Sequence, residues 1–486
     1  MKNYDNSIRL SLITLSILLF SCEDILEEDP RGLLTSDNFW TNEQNVIGAI
    51  NNVYTRPIEL PNGVFSWNFW FESSAHDFGT GSGHPSGMIS GTWDASTNQI
   101  FDAWRCSYEP ISLANFVLSN VNDATNVSDN LKTRVEGEAS FLRAMHYFNL
   151  VRLFGDVPLL LKQTEGDDEF LTSRAPASDV YEAIIADLNR AIAQLPTKSE
   201  FGQDGIGRAT KGAAMALLAK VHLTRGNFQE TVDLTAAVIA SGEYALQPNF
   251  KDIFLAENDT GQEWLFSYAV NGEATPTSTH QTAQFGFPNN LGRFGFRRAF
   301  GNIWVKEPLL QIYDQENDTR FTDMIWTEYV DPTTGETVPF IKGSTFYSKK
   351  YYDIEFSKDM VLTRVNYPVL RYSDVLLMYA EALNEVSPLD SDAFAKLNMV
   401  RNRANIGDLT AAELTSKEAF TNEVLDERRR EFVNENQRLF DLKRRERLIK
   451  FSQQFDYAQF SAEDVLYPIP QREIDANPNL TQNEGY

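Results

Sequence analysis

The chain has 486 residues, enough for one large domain or two ordinary ones. Its 43 basic and 68 acidic residues leave a net charge of −25, which excludes a protein built to hold a phosphate backbone and makes an anionic membrane surface repulsive. With 42% apolar and 12% aromatic residues the chain is too hydrophobic to stay disordered, while five His and two Cys exclude a disulfide framework and a thiolate zinc cluster.

At the N-terminus Lys2 and Arg9 precede an apolar run from Leu10 to Phe20. The run is far shorter than the roughly 20 residues that span a bilayer, so it reads as a secretory signal. It ends in Leu19-Phe20-Ser21-Cys22, which resembles a bacterial lipobox. The expected layout is a signal peptide over 1–21, a lipidated acidic tether over 22–36 and a single domain over 37–486. Lipid on Cys22 would anchor the chain, since several acyl chains at about 0.8 kcal/mol per buried methylene hold firmly where one does not. The tether, Glu23-Asp-Ile-Leu-Glu-Glu-Asp29, resembles a surface-export signal of lipoproteins. With Cys22 taken by lipid, Cys106 has no second cysteine for a disulfide, and its thiol is expected in the core.

The middle of the chain predicts helices in pairs. An early helix is expected from Asn98 to Val121. From Arg134, Phe141, Ala144, Phe148 and Val151 fall on one helical face, and Gly155 follows as a stop. Asp179 with Glu182 reads as a capping box for a helix ending at Leu195. Ala214, Leu217 and Val221 stripe the next helix, Gly226-Asn227 supplies a turn, and Phe228, Val232, Ala236 and Ile239 stripe the return. That unit, Lys211 to Ser241, is close to the roughly 34 residues of a tetratricopeptide repeat. A third pair is expected over 374–385 and 393–404. Two long segments, 60–97 and 245–370, interrupt the helices with Gly, Pro and many aromatics, and loops of that length are commonly functional.

Several chemical patterns are weak on their own terms. Gly205-Ile-Gly-Arg-Ala-Thr-Lys-Gly212 lacks the order of a phosphate loop and reads as a helix opening. His76 and His84 flank a Gly-rich run with no local third ligand, so no metal and no cofactor is expected. Carboxylate pairs suited to glycoside hydrolysis arise by chance in so acidic a chain, and no catalytic residue is assigned. The basic runs at 428–430 and 443–447 are interleaved with Glu427, Glu431 and Glu446, which predicts helix-face ion pairs.

Six motifs in order carry a sharper resemblance. Phe141-Leu-Arg-Ala-Met-His-Tyr-Phe-Asn-Leu-Val-Arg-Leu-Phe-Gly-Asp-Val-Pro-Leu159, the helix from Gly207 to Lys220, and Leu370-Arg-Tyr-Ser-Asp-Val-Leu-Leu-Met-Tyr-Ala-Glu-Ala-Leu-Asn384 are three of them. Asp426-Glu-Arg-Arg-Arg-Glu-Phe-Val433, Arg438-Leu-Phe-Asp-Leu-Lys-Arg444 and the tail from Leu466 to Tyr486 complete the set. Together with Cys22 they resemble the SusD/RagB family of outer-membrane nutrient-binding lipoproteins. The resemblance implies a mainly α fold, with tetratricopeptide-like helix pairs in a right-handed superhelical scaffold beside an irregular, loop-rich ligand-binding half. It implies a non-enzymatic, lipid-anchored protein on the outer membrane, facing the exterior, that captures a glycan and passes it to a SusC-like TonB-dependent transporter. Capture of peptide, or a protein scaffold without a ligand of its own, are the alternatives.

A sugar ring offers C–H faces and a hydroxyl rim, which suit aromatic platforms and polar side chains respectively. Trp93 and Trp326 are the expected platforms, because they fall in the two regions where glycan-binding members carry stacking aromatics. Asp77 and Asn98 are expected at the rim, with Trp67 as a weaker platform.

Overall fold

The computed structural model describes residues 39–60, 63, 70–80, 87–164, 166, 171–270, 303–330, 334–339, 347–351 and 364–486. Its longer helices are α1 (Glu43–Glu59), α2 (Asn98–Asn120), α3 (Asp129–Phe154), α4 (Ala177–Gln194), α5 (Lys211–Arg225), α6 (Phe228–Ala240), α7 (Tyr372–Val386), α8 (Ser391–Arg403), α9 (Lys417–Glu431) and α10 (Arg438–Arg444). Each of the first seven packs on the next, and α7 also packs on α9. The fold is mainly α, with its helices stacked in chain order.

Local chemistry sets the ends of these helices. Thr210 opens α5 by accepting from the Ala213 amide at 3.2 Å, so the Gly205–Gly212 segment is a helix opening, as its order implies. Gly226 closes α5 in the left-handed region at φ +77°, and the amide of Asn227 reaches back to His222 O at 2.9 Å. A side chain there would cost about 1 kcal/mol, which is why glycine suits the turn into α6. The box expected at Asp179 and Glu182 does not form. Pro176 is the cap, and Asp156 from the preceding turn accepts from the Ala177 amide at 2.8 Å. The single stripe expected on α3 also understates it, because from Gly137 to Phe148 the helix is buried on every side between α2 and α4.

More than a hundred residues separate α6 from α7, yet the two helices are neighbours. The ladder of β4 (Trp264–Tyr268) with β10 (Tyr367–Arg371) closes the base of that excursion. The remaining strands are short: β1 (Phe78–Thr80), β2 (Val157–Pro158), β3 (Arg174–Ala175), β5 (Ile303–Val305), β6 (Ile325–Trp326), β7 (Glu328–Val330), β8 (Thr337–Pro339) and β9 (Tyr347–Ser348). They pair antiparallel as β1·β5, β2·β3, β6·β9 and β7·β8.

The basic run at 428–430 is buried and that at 443–447 half-buried, most of their partners lie on other elements, and Arg371 and Arg320 join the same network. Arg371 donates to Glu263 at 2.6 Å, to Glu431 at 2.9 Å and to Glu435 at 2.8 and 2.9 Å. Arg320 reaches Glu427 at 2.6 Å and Asp318 at 2.8 Å. Arg428 bridges Asp374 at 2.7 Å and Asp441 at 2.8 Å, and Arg444 and Arg445 share Glu381. The expected pairing along one helix survives in Arg430–Glu427. Surrounding guanidinium groups hold Glu381, Glu427, Glu431 and Asp441 below the usual carboxylate range despite burial. Multiple hydrogen bonds of this kind are what make a buried charge tolerable. Cys106 is buried, and burial pushes its thiol far up, so it is inert.

Candidate ligand-binding face

The short ladders converge on one surface. Gly79 of β1 stands opposite Trp304 of β5, and the carbonyl of Asp77 accepts from the Lys306 amide at 2.8 Å. A Cβ on Gly79 would collide with the Trp304 indole, so the ring lies directly on bare backbone. Strand β9 packs against β5 and pairs with β6, with Trp326 and Tyr347 in register along the backbone. Both indoles are half-buried. The Lys349 ammonium lies 5.7 Å from the Trp326 ring centroid.

Tyr457 stands beyond β5, 41% exposed. Lys306 donates to its hydroxyl at 2.5 Å and lies 4.1 Å from its ring centroid. Burial lowers this lysine to about 8. Below that surface His76 is fully buried at φ +65°. Its Nε2 pairs with Ser452 Oγ at 2.8 Å and its ring stacks on Phe455 at 4.8 Å. Burial holds the imidazole down to about 4, so it is neutral and structural. The face therefore combines indole surface for apolar C–H groups with ammonium and hydroxyl donors for polar ones.

The structure divides the expected site residues. Trp326 stands on the face. Trp93 is 6% exposed, donates Nε1 to the Tyr486 hydroxyl at 2.7 Å, and is walled by Phe460 and Tyr467 at 5.1 and 4.8 Å. Its faces are covered, so it is a core residue and not a platform. Asp77 is 3% exposed and accepts from Arg429 Nε at 2.9 Å, which makes its carboxylate an internal counter-ion instead of a rim group. Asn98 is exposed at the start of α2 and accepts from Arg472 at 3.2 Å, apart from the ladders. Trp67, His84 and Cys22 lie outside the described residues.

Two members of the face escape sequence reasoning. Trp304 lies in the same 245–370 segment as Trp326 with no local feature to single it out, and Tyr457 falls in a tail segment between recognisable motifs. Among the described residues no group of three His, Cys, Asp or Glu is placed to hold a metal ion. No described helix is long and apolar enough to cross a membrane. A separate cavity of about 280 Å³ opens between the Gly202–Thr210 turn and β4. There the Lys198 ammonium is already bonded to the Gly261 carbonyl at 2.8 Å.

Two family models match the chain. One, described as the SusD family, covers residues 322–486, and one described as "starch-binding associating with outer membrane" covers 26–223. A SusD-like protein of Formosa agariphila is 29% identical over the full length of both chains. The starch-binding protein SusD of Bacteroides thetaiotaomicron is 25% identical over 82% of this chain and 81% of its own. A crystal structure of a SusD superfamily protein from Parabacteroides distasonis superposes with a TM-score of 0.80 at 25% identity, covering 93% of this chain and 100% of that one.

Proposed function

Since this chain belongs to the SusD/RagB family, we propose that it is a glycan-capture protein of the outer membrane, held there by lipid on Cys22 and facing the exterior. It binds an oligosaccharide or polysaccharide without cleaving it and delivers it to a SusC-like TonB-dependent transporter. The observation that carries this reading is the pair of half-exposed indoles, Trp304 and Trp326, on adjacent ladders. A partly exposed indole leaves apolar area in water that the C–H face of a sugar covers on binding. Starch binding by a relative and the family description of outer-membrane association support the same reading.

The helical stack suits the other half of the task. Its buried ion pairs fix a rigid support, and helix stacks of this kind offer extended faces to protein partners. The acidic tether lets the domain stand clear of an anionic lipid surface.

Affinity electrophoresis through gels containing starch, laminarin, xylan or pectin tests the proposal. Retardation by at least one polymer, with no shortened product released, is the expected result. Migration unaffected by every polymer, or release of product, would overturn it.

A further inference from the structure

In a chain of net charge −25, one buried cluster carries positive charge that its neighbours do not answer. Arg429 and Arg438 both lie against the ring of Phe451, 5.3 and 5.1 Å from its centroid. Arg429 spends Nε and Nη2 on Asp77. Arg438 is 8% exposed and makes no hydrogen bond to any described residue, and its Nε is sealed from solvent without an acceptor. The acids around it are committed or unengaged: Asp77 serves Arg429, and Asp441 serves Arg428 and Arg444. Asp426, half-buried on α9, forms no ion pair with a described residue. Burial and the like charge of Arg429 lower Arg438 from the ordinary arginine value, the direction expected where carboxylates do not offset the loss of water.

The cluster lies at the root of the ligand-binding face. Asp77 directly precedes β1, and its carbonyl bonds to the residue that follows β5, so the arginines stand beneath the ladder that presents Trp304. A guanidinium is a planar fork of donors matched to an oxyanion, and a desolvated one lacking acceptors is completed by a ligand that brings them. We propose that Arg438, with Arg429 beside it, forms a subsite for an anionic substituent of the captured glycan, either the carboxylate of a uronic acid or a sulfate ester. The inference rests on the glycan-capture reading and narrows it to acidic polymers.

Calorimetric titration of the full chain with matched pairs of ligands tests it. The pairs are an oligogalacturonate against its methyl ester, and a sulfated galactan oligosaccharide against its desulfated form. The expected result is that one charged member binds at least about tenfold more tightly than its neutral match. That preference is lost with added salt and lost in Arg438→Met, while Arg438→Lys keeps part of it. The pair that shows the preference identifies the anion. Equal binding of charged and neutral members, or binding of neutral glycan such as laminarin alone, overturns the subsite and leaves glycan capture standing. No binding of any glycan overturns both. Should Arg438→Met fail to fold, the wild-type comparison of acid with ester and its salt dependence decide the matter.

Discussion

Trp93 and Trp326 lie in loop segments of similar composition, and the chain treats them oppositely. Trp93 is locked by Tyr486, Phe460 and Tyr467, all contributed by the last thirty residues. Trp326, like Trp304, lies on a ladder of two or three residues that is too small to enclose an indole. The same contrast holds for charge. Around Arg371 three carboxylates meet one guanidinium, whereas around Arg438 no described acceptor comes within bonding reach. Satisfied contacts mark the parts that hold the fold, whereas exposed indole at Trp326 and an unanswered charge at Arg438 mark the parts left for a ligand.

The strongest test on the enclosed side is Arg371→Met, which strips Glu263, Glu431 and Glu435 of their shared partner. Removing one member of a buried ionic group costs about 3–5 kcal/mol. The midpoint of urea unfolding should fall accordingly, and an unchanged midpoint would show the network to be dispensable.

Trp93→Ala should follow closely, at about 3 kcal/mol for a buried indole. Its effect should show in the thermal midpoint, with the affinity of the folded protein for glycan retained. Loss of affinity at unchanged stability would return Trp93 to the site.

Acid should unfold the protein by way of its buried histidines. His146 has neither ring nitrogen bonded among the described residues, and burial lowers it to about 3, as it lowers His76 to about 4. The unfolded chain takes up these protons near pH 6.5 while the folded chain refuses them, so stability present at pH 7 is lost as pH falls from about 6.5 towards 4. The depressed carboxylates Glu381, Glu427 and Asp374 add to this loss below about pH 4, where the unfolded chain binds protons first. His146→Leu should recover roughly 2 kcal/mol of the loss at pH 5. Thermal midpoints at pH 7 and pH 5 measure it, and parallel curves for both proteins would refute the assignment.

Much of the scaffold is legible from sequence because its signals are local. Periodicity and Gly226 place α5 and α6, and the early helix begins at Asn98 as expected. Where partners are distant, local reading fails. Asp156 caps α4 from upstream of the Asp179 box, and Asp77 meets Arg429 some 350 residues along the chain. Trp93 looks like loop in Gly91-Thr-Trp-Asp94 until the tail folds over it, and nothing local distinguishes Trp304 from the other aromatics of its segment until the β1·β5 ladder leaves it half-buried. Trp326 is the site residue that local composition indicated and the structure leaves at the surface.

Smallest in free energy, and closest to function, is the platform itself. Trp304→Ala and Trp326→Ala should each weaken glycan binding about tenfold while costing less stability than Trp93→Ala, since each indole is only half-buried. The most direct test is calorimetry of the double variant with the polymer that retards the wild-type chain. Binding abolished in a protein that still unfolds cooperatively above the assay temperature is the predicted result. Undiminished binding, or binding lost only together with the fold, would contradict a glycan platform on this face.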